Sequence, residues 1–268
     1  MFTEEERSYL GHNLAEALKF FDPERAASNP NQETALAWVI QDCNGPTTLS
    51  RARYAEDSLE EAIRQGVQQY VILGAGMDTF AFRRPDMLEQ LQVFEVDHPA
   101  TQAFKRSRLT ELGWEHPAEL HFVPVDFTKE NLVAALKRSS YDPQKLSFFS
   151  WLGVTMYLTR NVVFATLQAI ADIAPAGSTI IFDYYDTDAF NPDRSSKRMQ
   201  KEQEIVRLVG EPMKEGIDPS TLAADLEGIG LLLYENLSPA DIEERYFKGR
   251  TDGYHAFEHV HFAWAVVD

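Results

Sequence analysis

The stretch Tyr70–Phe82, YVILGAGMDTFAF, decides the fold class of this chain. It begins with a run of apolar and aromatic residues typical of a buried strand, which ends abruptly in Gly74-Ala75-Gly76. Two glycines between a strand and a helix permit a tight turn and let a ligand approach the backbone closely. Such turns lie at the carboxyl edge of an open α/β sheet, where ligands bind. We therefore predict a ligand site at Gly74, Ala75 and Gly76.

The spacing of the glycines bears on which ligand this turn accepts. The dinucleotide fingerprint G-x-G-x-x-G has a third glycine, and the corresponding position here is Thr79. A pyrophosphate would therefore lose part of its backbone cradle. Taken alone, the glycine pair also fits a plain turn that binds nothing.

Outward from this turn, β-rich runs alternate with helical runs from Gly66 to the end of the chain. The strand candidates are QYVILGAG, LQVFEVD, LHFVPVD, KLSFFSWLG, STIIFDYY, LLLYENL and HVHFAWAVV. The helical candidates between the early strands are PATQAFKRSRLTELG, NLVAALKRSS and RNVVFATLQAIADIA. This alternation predicts a mostly parallel sheet with helices on both faces, in which the last two strands pair antiparallel.

The chain shows no internal repeat and no linker, and we interpret residues 1–268 as a single domain. Apolar residues at helical spacing predict a helical lid over residues 1–66, followed by the sheet-containing core over 67–268. Residues 187–220 read as a helical cap inserted after the fifth strand. We expect the lid and cap to cover the carboxyl edge of the sheet and to enclose a substrate. Their aromatic residues fit an apolar pocket or core packing equally well: Phe20, Phe21, Trp38 and Phe190.

Composition and charge exclude several classes of partner. With 25 basic and 42 acidic residues the formal charge is −17, which disfavours nucleic acid and anionic membrane surfaces. The basic clusters Lys105–Arg108 and Arg194–Lys201 are interpreted as solvated helix faces. No apolar run approaches the roughly 18 residues that span a bilayer, and the acidic N-terminus does not resemble a signal peptide. The lone Cys43 suits a reducing compartment, so we expect a cytoplasmic protein; the oligomeric state cannot be read from the sequence.

The second and third strands also end in candidate binding residues. Asp97 ends VFEVD, 23 residues after Gly74, where an acid at the strand tip accepts hydrogen bonds from ribose hydroxyls. Glu95 shares its strand face but lies farther from the tip. The alternative role for Asp97 is to cap the helix PATQAFKRS.

The third strand ends in Asp126 and Phe127. A carboxylate beside an aromatic ring can hold an adenine, because the acid accepts from the amino group and the ring covers the base. The alternative is that Asp126 starts the next helix, with Thr128 as another possible cap.

With these residues in place, the chain resembles the leucine carboxyl methyltransferase-like family, in its bacterial branch of S-adenosylmethionine-dependent methyltransferases. The resemblance covers about half of the chain, from Arg51 to Tyr185. The matching segments, in order, are RARYAEDSLEEAIRQGVQQYVILGAGMDTFAFR, VFEVDHPATQAFKRSRL, VPVDF, SWLGVTMYL and GSTIIFDYY.

The resemblance implies a Rossmann-like class I methyltransferase fold with seven strands in the order 3-2-1-4-5-7-6, the last antiparallel. It implies S-adenosylmethionine as cofactor, and because this molecule has no pyrophosphate, Thr79 in place of glycine costs nothing. The glycine turn would flank the methionine part of the cofactor, Asp97 would bind the ribose, and Asp126 with Phe127 the adenine.

The resemblance also places an arginine before the first strand, at Arg51. This guanidinium would pair with the cofactor carboxylate, a bidentate geometry that suits arginine. The alternative is a surface ion pair with Asp57 or Glu56, and Arg53 is a second candidate for the cofactor role.

One position departs from the family pattern, because Leu152 stands where many relatives carry a glutamate. This implies cofactor binding by the backbone near Ser150 to Gly153, or weaker affinity. Tyr157, in the same matched motif, is the candidate catalytic residue, with packing beneath the ligand as its alternative.

These residues support an O-methyltransferase that acts on a carboxylate or hydroxyl of a small molecule. An NAD-dependent oxidoreductase and a non-catalytic ligand-binding protein are the alternatives. Further candidates near the acceptor are Tyr184, Tyr185, His255, His259 and His261. His259 and His261 share a strand face, but no third metal ligand is evident, so we predict no metal site.

Overall fold

The computed structural model describes residues 45–126, 130–208 and 212–268, with the side chain of residue 208 excepted. The helices predicted within residues 1–44 lie outside the described residues. So do six residues discussed above: Phe20, Phe21, Trp38, Cys43, Phe127 and Thr128.

Seven strands form one sheet in the order β3-β2-β1-β4-β5-β7-β6. The strands are β1 Gln69–Leu73, β2 Gln92–Asp97, β3 Leu120–Pro124, β4 Ser147–Trp151, β5 Thr179–Tyr185, β6 Leu231–Leu237 and β7 Val260–Val267. Strands β1 to β5 pair in parallel, whereas β7 runs antiparallel to both β5 and β6. All seven predicted strands and the predicted strand order are confirmed.

The helices in the described residues are α1 Gly45–Arg64, α2 Phe80–Arg83, α3 Pro85–Leu88, α4 Pro99–Glu111, α5 Leu132–Arg138, α6 Arg160–Ile173, α7 Lys197–Leu208, α8 Leu222–Glu227 and α9 Pro239–Ile242. The helices predicted between the early strands correspond to α4, α5 and α6, with shorter bounds. The sequence pattern did not predict α2, α3, α8 and α9, because helices of four to six residues are too short to display a helical period. None of the helices in these ranges has the length and apolar character needed to cross a bilayer.

The central strands are buried on both faces, and their alternate residues feed two separate cores. One face, which we call the α1 face, contributes Tyr70, Phe148 and Ile181 to a core that includes α1. The opposite face contributes the neighbouring strand residues to a core that includes α6. Because side chains alternate along a strand, residues at even spacing from these positions lie on the same face.

Helix α1 packs on the sheet itself, although the prediction placed it in a lid. Its Tyr54 and Leu59 are fully buried, and the Tyr54 ring stacks on Phe262 of β7 with centroids 5.5 Å apart. The Tyr54 hydroxyl donates to Oε2 of Glu235 at 2.7 Å on the neighbouring strand β6. This helix therefore fixes the position of any side chain that it directs toward the carboxyl edge.

The region predicted as a cap contains a 3-10 turn, Thr187–Phe190, and helix α7. It returns to the sheet at a bridge between Asp186 and Ile217. His259 of β7 anchors the start of α7: its Nε2 accepts from the backbone N–H of Ser196 at 3.0 Å, while its Nδ1 lies 3.0 Å from Asp186.

We expect His259→Ala to loosen this part of the cap, because the partly buried N–H of Ser196 and the Asp186 carboxylate would each lose a partner. A buried polar group left unsatisfied costs about 1–3 kcal/mol. The loss should appear as faster amide exchange and faster proteolysis within residues 194–208. His255→Ala, at an exposed position, is the matched control, and equal rates in the two variants would contradict the anchoring role.

Candidate cofactor and acceptor site

The predicted glycine turn follows β1 directly and has the backbone geometry that requires glycine. Gly74 and Gly76 have φ of +67° and +49°, in the region that side-chain-bearing residues rarely adopt. A Cβ added at Gly74 would lie 2.5 Å from Cγ2 of Val154, the residue that follows Gly153 beyond β4. The turn is tied to the next strand because Gly74 N–H donates to the Val96 carbonyl at 2.8 Å.

Asp97 lies against this turn, at the tip of β2. Its Oδ2 accepts from the backbone N–H of Gly76 at 2.5 Å, and its Oδ1 accepts from that of His98 at 2.6 Å. The alternative role, capping the following helix, is wrong, because His98 caps α4 by accepting from Ala100. The structure thus brings Gly76 and the Asp97 carboxylate together, as predicted.

Asp126 lies beyond the next strand tip and is half-buried. Its neighbour Val125 donates to the carbonyl of Asp97 at 2.9 Å, so the two strand ends are adjacent. The cap of α5 is Asn131, which accepts from Ala134 N–H, and not Asp126. Phe127 and Thr128 lie outside the described residues.

Glu95 points into the protein below this edge and forms a buried ion pair with Lys105. The Lys105 ammonium lies 2.5 Å from Oε2 of Glu95 and donates to the Asp78 carbonyl at 2.6 Å. The interpretation of Lys105 as part of a solvated face is therefore wrong, because the side chain crosses from α4 to β2 beneath the glycine turn. Burial raises the pKa of Glu95 to about 7 despite Lys105, and Oε1 of Glu95 has no hydrogen-bond partner among the described residues.

Arg51 projects from α1 to the carboxyl ends of β4 and β5. Its Nη1 lies 2.9 Å from Oδ2 of Asp183, a fully buried carboxylate whose Oδ1 accepts from Gly153 N–H at 2.6 Å. Gly153 has φ of +73°, which favours glycine, and a Cβ there would lie 2.5 Å from the guanidinium, so a side chain would also displace Arg51. Burial lowers the pKa of Arg51, but the Asp183 carboxylate outweighs this effect and the pKa lies above its ordinary value.

The surface partners suggested for Arg51 are wrong. Asp57 instead pairs with Arg53 on the surface of α1, and Glu56 pairs with Arg83. The surface pairing also places the Arg53 side chain away from the glycine turn, since 70% of it is exposed. Arg51 is therefore the arginine of α1 that reaches the strand ends.

The residues around β4 combine buried and half-buried positions. Ser150 is buried, and its hydroxyl shares a hydrogen bond of 2.9 Å with the Tyr70 hydroxyl, which leaves the backbone as the part that could meet a ligand. Leu152 and Tyr157 are half-buried and pack on the core of the α1 face. Tyr157 lies in a 3-10 turn after β4, within electrostatic range of Arg51.

A second polar cluster lies next to this one, where β5 meets the cap. The Tyr185 hydroxyl donates to the Glu202 carboxylate of α7, with 3.4 and 3.3 Å to its two oxygens. Arg198, one helical turn before Glu202, lies over the ring of Phe257 at 4.4 Å. The interpretation of Arg194–Lys201 as a solvated face therefore fails at Arg198, because its guanidinium covers an aromatic ring.

The other predicted acceptor-side candidates are placed differently. Tyr184 lies on the opposite sheet face and donates to Asn236 at 3.0 Å, and His255 is exposed. His259 and His261 both face Asp186. Within the described ranges, no group of three or more acidic, histidine or cysteine side chains is arranged to hold a metal.

The sequence reasoning missed three charged residues that shape this edge: Lys105, Asp183 and Glu202. Asp183 could have been recognised in the sequence, because it is the single acid within the mostly apolar and aromatic strand TIIFDYY. A charged residue on a strand buried on both faces needs a partner. Lys105 and Glu202 left no such signal, since both lie on helices rich in charged residues.

Comparisons with known proteins agree with this geometry. A family model described as leucine carboxyl methyltransferase matches residues 7–171. The Bacillus subtilis protein YktD, named as an S-adenosyl-L-methionine-dependent methyltransferase, is 40% identical over 267 residues, which cover 99% of this chain and 88% of YktD. A Mycobacterium marinum protein of the same description is 34% identical over 145 residues, 54% of this chain and 48% of its own length.

Two solved structures share the fold at low sequence identity. A DUF574 family protein from Streptomyces avermitilis has a TM-score of 0.63 and 13% identity, covering 96% of this chain and 90% of its own. The mitomycin 7-O-methyltransferase MmcR has a TM-score of 0.53 and 17% identity, covering 95% of this chain and 60% of its own. At these identities the likeness concerns the fold alone.

This sheet order, with a glycine turn after β1 and a carboxylate at the tip of β2, defines the class of S-adenosylmethionine-dependent methyltransferases with a Rossmann-like fold. Within that class the chain belongs to the leucine carboxyl methyltransferase family, because the family model matches more than half of it and YktD matches nearly all of it. The predicted family and fold class are both confirmed.

Proposed function

We propose that the protein transfers a methyl group from S-adenosylmethionine to an oxygen atom, a carboxylate or a hydroxyl, of a small acceptor. The observation that carries the proposal is the contact between Asp97 and the glycine turn, at 2.5 Å. This contact fixes a carboxylate where a ribose can be held, beside a turn whose two glycines have no side chains. The residues fit this cofactor, because a Cβ added at Gly76 would meet nothing closer than the Gly74 carbonyl at 3.9 Å, so the backbone at this glycine is open to a ligand.

In this proposal each strand end holds one part of the cofactor. Asp97 accepts from the ribose hydroxyls, and Asp126 with Phe127 holds the adenine. The turn Gly74–Gly76 adjoins the methionine part, whose carboxylate meets the N–H groups of Arg51 that do not face Asp183.

When bound, S-adenosylmethionine supplies a methyl group activated by a sulfonium cation. The remaining task of the chain is to hold the acceptor oxygen in line with that methyl group. Such positioning can contribute about 7–11 kcal/mol to lowering a barrier. The backbone from Ser150 to Gly153, with Tyr157, lies beside the sulfur end of the proposed site and shapes this approach.

Calorimetric titration with S-adenosylmethionine, S-adenosylhomocysteine and NAD tests the cofactor. We expect both sulfur ligands to bind and NAD not to bind. Tight NAD binding with no binding of either sulfur ligand would overturn the proposal in favour of an oxidoreductase. Binding without methylation of any oxygen acceptor in a mass-spectrometric screen would instead favour a non-catalytic ligand-binding protein.

Asp97→Ala should weaken S-adenosylhomocysteine binding by at least tenfold and up to about a hundredfold, because a hydrogen bond to a charged group contributes about 1.5–3 kcal/mol. Titration of the folded variant measures this, with folding checked by circular dichroism. Asp86→Ala, which removes an exposed acid paired with Arg84, is the matched control. An affinity unchanged in Asp97→Ala would remove Asp97 from the ribose role.

A further inference from the structure

The polar cluster between β5 and the cap contains the carboxylate of Glu202, whose position suits a role in the reaction. Glu202 lies on α7, three residues after the fully buried Met199. Residues three apart share a helix face, so Glu202 points toward the sheet together with Met199. The side chain is half-buried, so part of its surface is accessible.

The contacts of Glu202 fix it at the carboxyl end of β5. It accepts from the hydroxyl of Tyr185, the last residue of β5. Two residues earlier on the same strand face is Asp183, which holds Arg51 and the N–H of Gly153. Glu202 therefore lies one strand beyond the end of β4, on the side of the site opposite to Asp97 and Asp126.

The hydrogen bond from Tyr185 to this carboxylate is long. At 3.3–3.4 Å it is longer than the usual 2.5–3.0 Å of an O–H···O bond. Around Glu202 lie Arg198 on its own helix, Tyr185 on β5, Arg51 on α1 and Glu258 before β7. Burial outweighs the two cations and raises the pKa of Glu202 to about 7, which is where a general base works best near neutral pH.

The inference rests on the proposed function, which allows a carboxylate or a hydroxyl as the acceptor. The surroundings of Glu202 favour one of these two. A carboxylate acceptor arrives already ionised and would be repelled by the like charge of Glu202. A hydroxyl acceptor arrives neutral, donates a hydrogen bond to a carboxylate, and benefits from a base that takes its proton.

We propose that the acceptor is an acidic hydroxyl, a phenol or an enol, and that Glu202 is the catalytic base that receives its proton. The acceptor oxygen forms a bond to the methyl carbon as the carbon–sulfur bond breaks, and that electron pair stays on sulfur, which becomes neutral. The hydroxyl proton passes to Glu202 and leaves to water after the product dissociates.

The test compares 1-naphthol, 4-hydroxycoumarin and 1-naphthoate as probes. Each is incubated with the full chain and S-adenosylmethionine, and methylated products are identified by mass spectrometry. We expect methylation of at least one hydroxyl probe and not of 1-naphthoate. The rate should fall as pH drops through about 7, because Glu202 must be ionised to act as a base.

Glu202→Gln separates chemistry from structure, because the amide can still accept from Tyr185. We expect its rate with the hydroxyl probe to fall about a hundredfold, within the range for loss of a general base, and its acid limb near pH 7 to disappear. Glu204→Gln, at an exposed position on the same helix, should keep both the rate and the acid limb. A rate and pH profile in Glu202→Gln equal to those of the wild type would overturn the assignment.

Binding gives a readout that is independent of turnover. With the protein saturated by S-adenosylhomocysteine at pH 8, we expect 1-naphthol to bind at least tenfold more tightly than 1-naphthoate, and Glu202→Gln to reduce this ratio toward one. Preferred binding of 1-naphthoate, or failure of every hydroxyl probe to be methylated, would overturn the inference. If 1-naphthoate is methylated instead, oxygen methylation stands and only the hydroxyl assignment falls, whereas failure of S-adenosylmethionine to bind would overturn the proposed function itself.

Discussion

Replacing Lys105 by methionine should lower the free energy of unfolding by about 3–5 kcal/mol, the usual cost of removing one partner from a buried ion pair. Lys105 is 3% exposed, and the variant would leave the Glu95 carboxylate buried without its cation. Methionine fills much of the same volume, so the loss reports charge and hydrogen bonding. Denaturant-induced unfolding measures it directly. Lys145→Met, at an exposed position, should change stability by no more than about 0.5 kcal/mol.

The deficit of the Lys105 variant should depend on pH. Burial already raises the pKa of Glu95 to about 7, and removal of the cation raises it further. An acid whose pKa is higher in the folded than in the unfolded protein destabilises the fold increasingly as pH rises between the two values. We therefore expect a larger deficit at about pH 9 than at about pH 6.

A compensating change distinguishes this cause from simple loss of packing. In the double variant Lys105→Met with Glu95→Leu, no uncompensated charge remains, and much of the lost stability should return. No recovery in the double variant would show that the pair is not the source of the loss. Lys105 also holds the Asp78 carbonyl, so weaker S-adenosylhomocysteine binding should accompany the single change.

The second large effect is expected for Asp183→Ala. This change leaves the half-buried guanidinium of Arg51 without its carboxylate partner and removes the acceptor of the Gly153 N–H. We expect the free energy of unfolding to fall by about 3–5 kcal/mol. Asp183→Asn should cost less, because its side-chain carbonyl can still accept from Gly153. Thermal and denaturant unfolding of both variants provide the measurement.

The matched control for Asp183 is Asp57→Ala on the surface. Asp57 also pairs with an arginine of α1, but both side chains are exposed, and exposed pairs contribute about 0–1 kcal/mol. If Asp183→Ala lost as little stability as Asp57→Ala, the ion pair between Arg51 and Asp183 would not stabilise the fold as proposed. A change in cofactor affinity confined to the Asp183 variants would connect this pair to the ligand carboxylate.

Much of the fold was readable because its signals are local. The strands β1, β4 and β5 are rich in apolar and aromatic residues, as expected for strands buried on both faces. The turn after β1 could be predicted because its backbone conformation at Gly74 favours glycine. Asp97 followed from its spacing to that turn. Each of these inferences needs only neighbouring residues and the rule that parallel strands share a carboxyl edge.

The ion pairs were not readable, because partners far apart in sequence meet only in the folded chain. Arg51 and Asp183 are separated by 132 positions, and the sequence offered nearer acids as partners. The Lys105 side chain looked solvated because its neighbours on α4 are charged, yet its place on the helix directs it beneath the turn. Glu202 depends on how the cap folds over β5, a relation that no local pattern encodes.

The sequence by itself determined the strands, the glycine turn, the carboxylate at the tip of β2 and the family, since hydrophobic period, backbone sterics and motif spacing are properties of short segments. Only the tertiary structure decided which charges are buried and with which partners: Glu95 with Lys105, Arg51 with Asp183, and Glu202 with Tyr185. The physical reason is that the strength of a charge interaction depends on distance and burial, and both are set by the packing of segments remote in the chain.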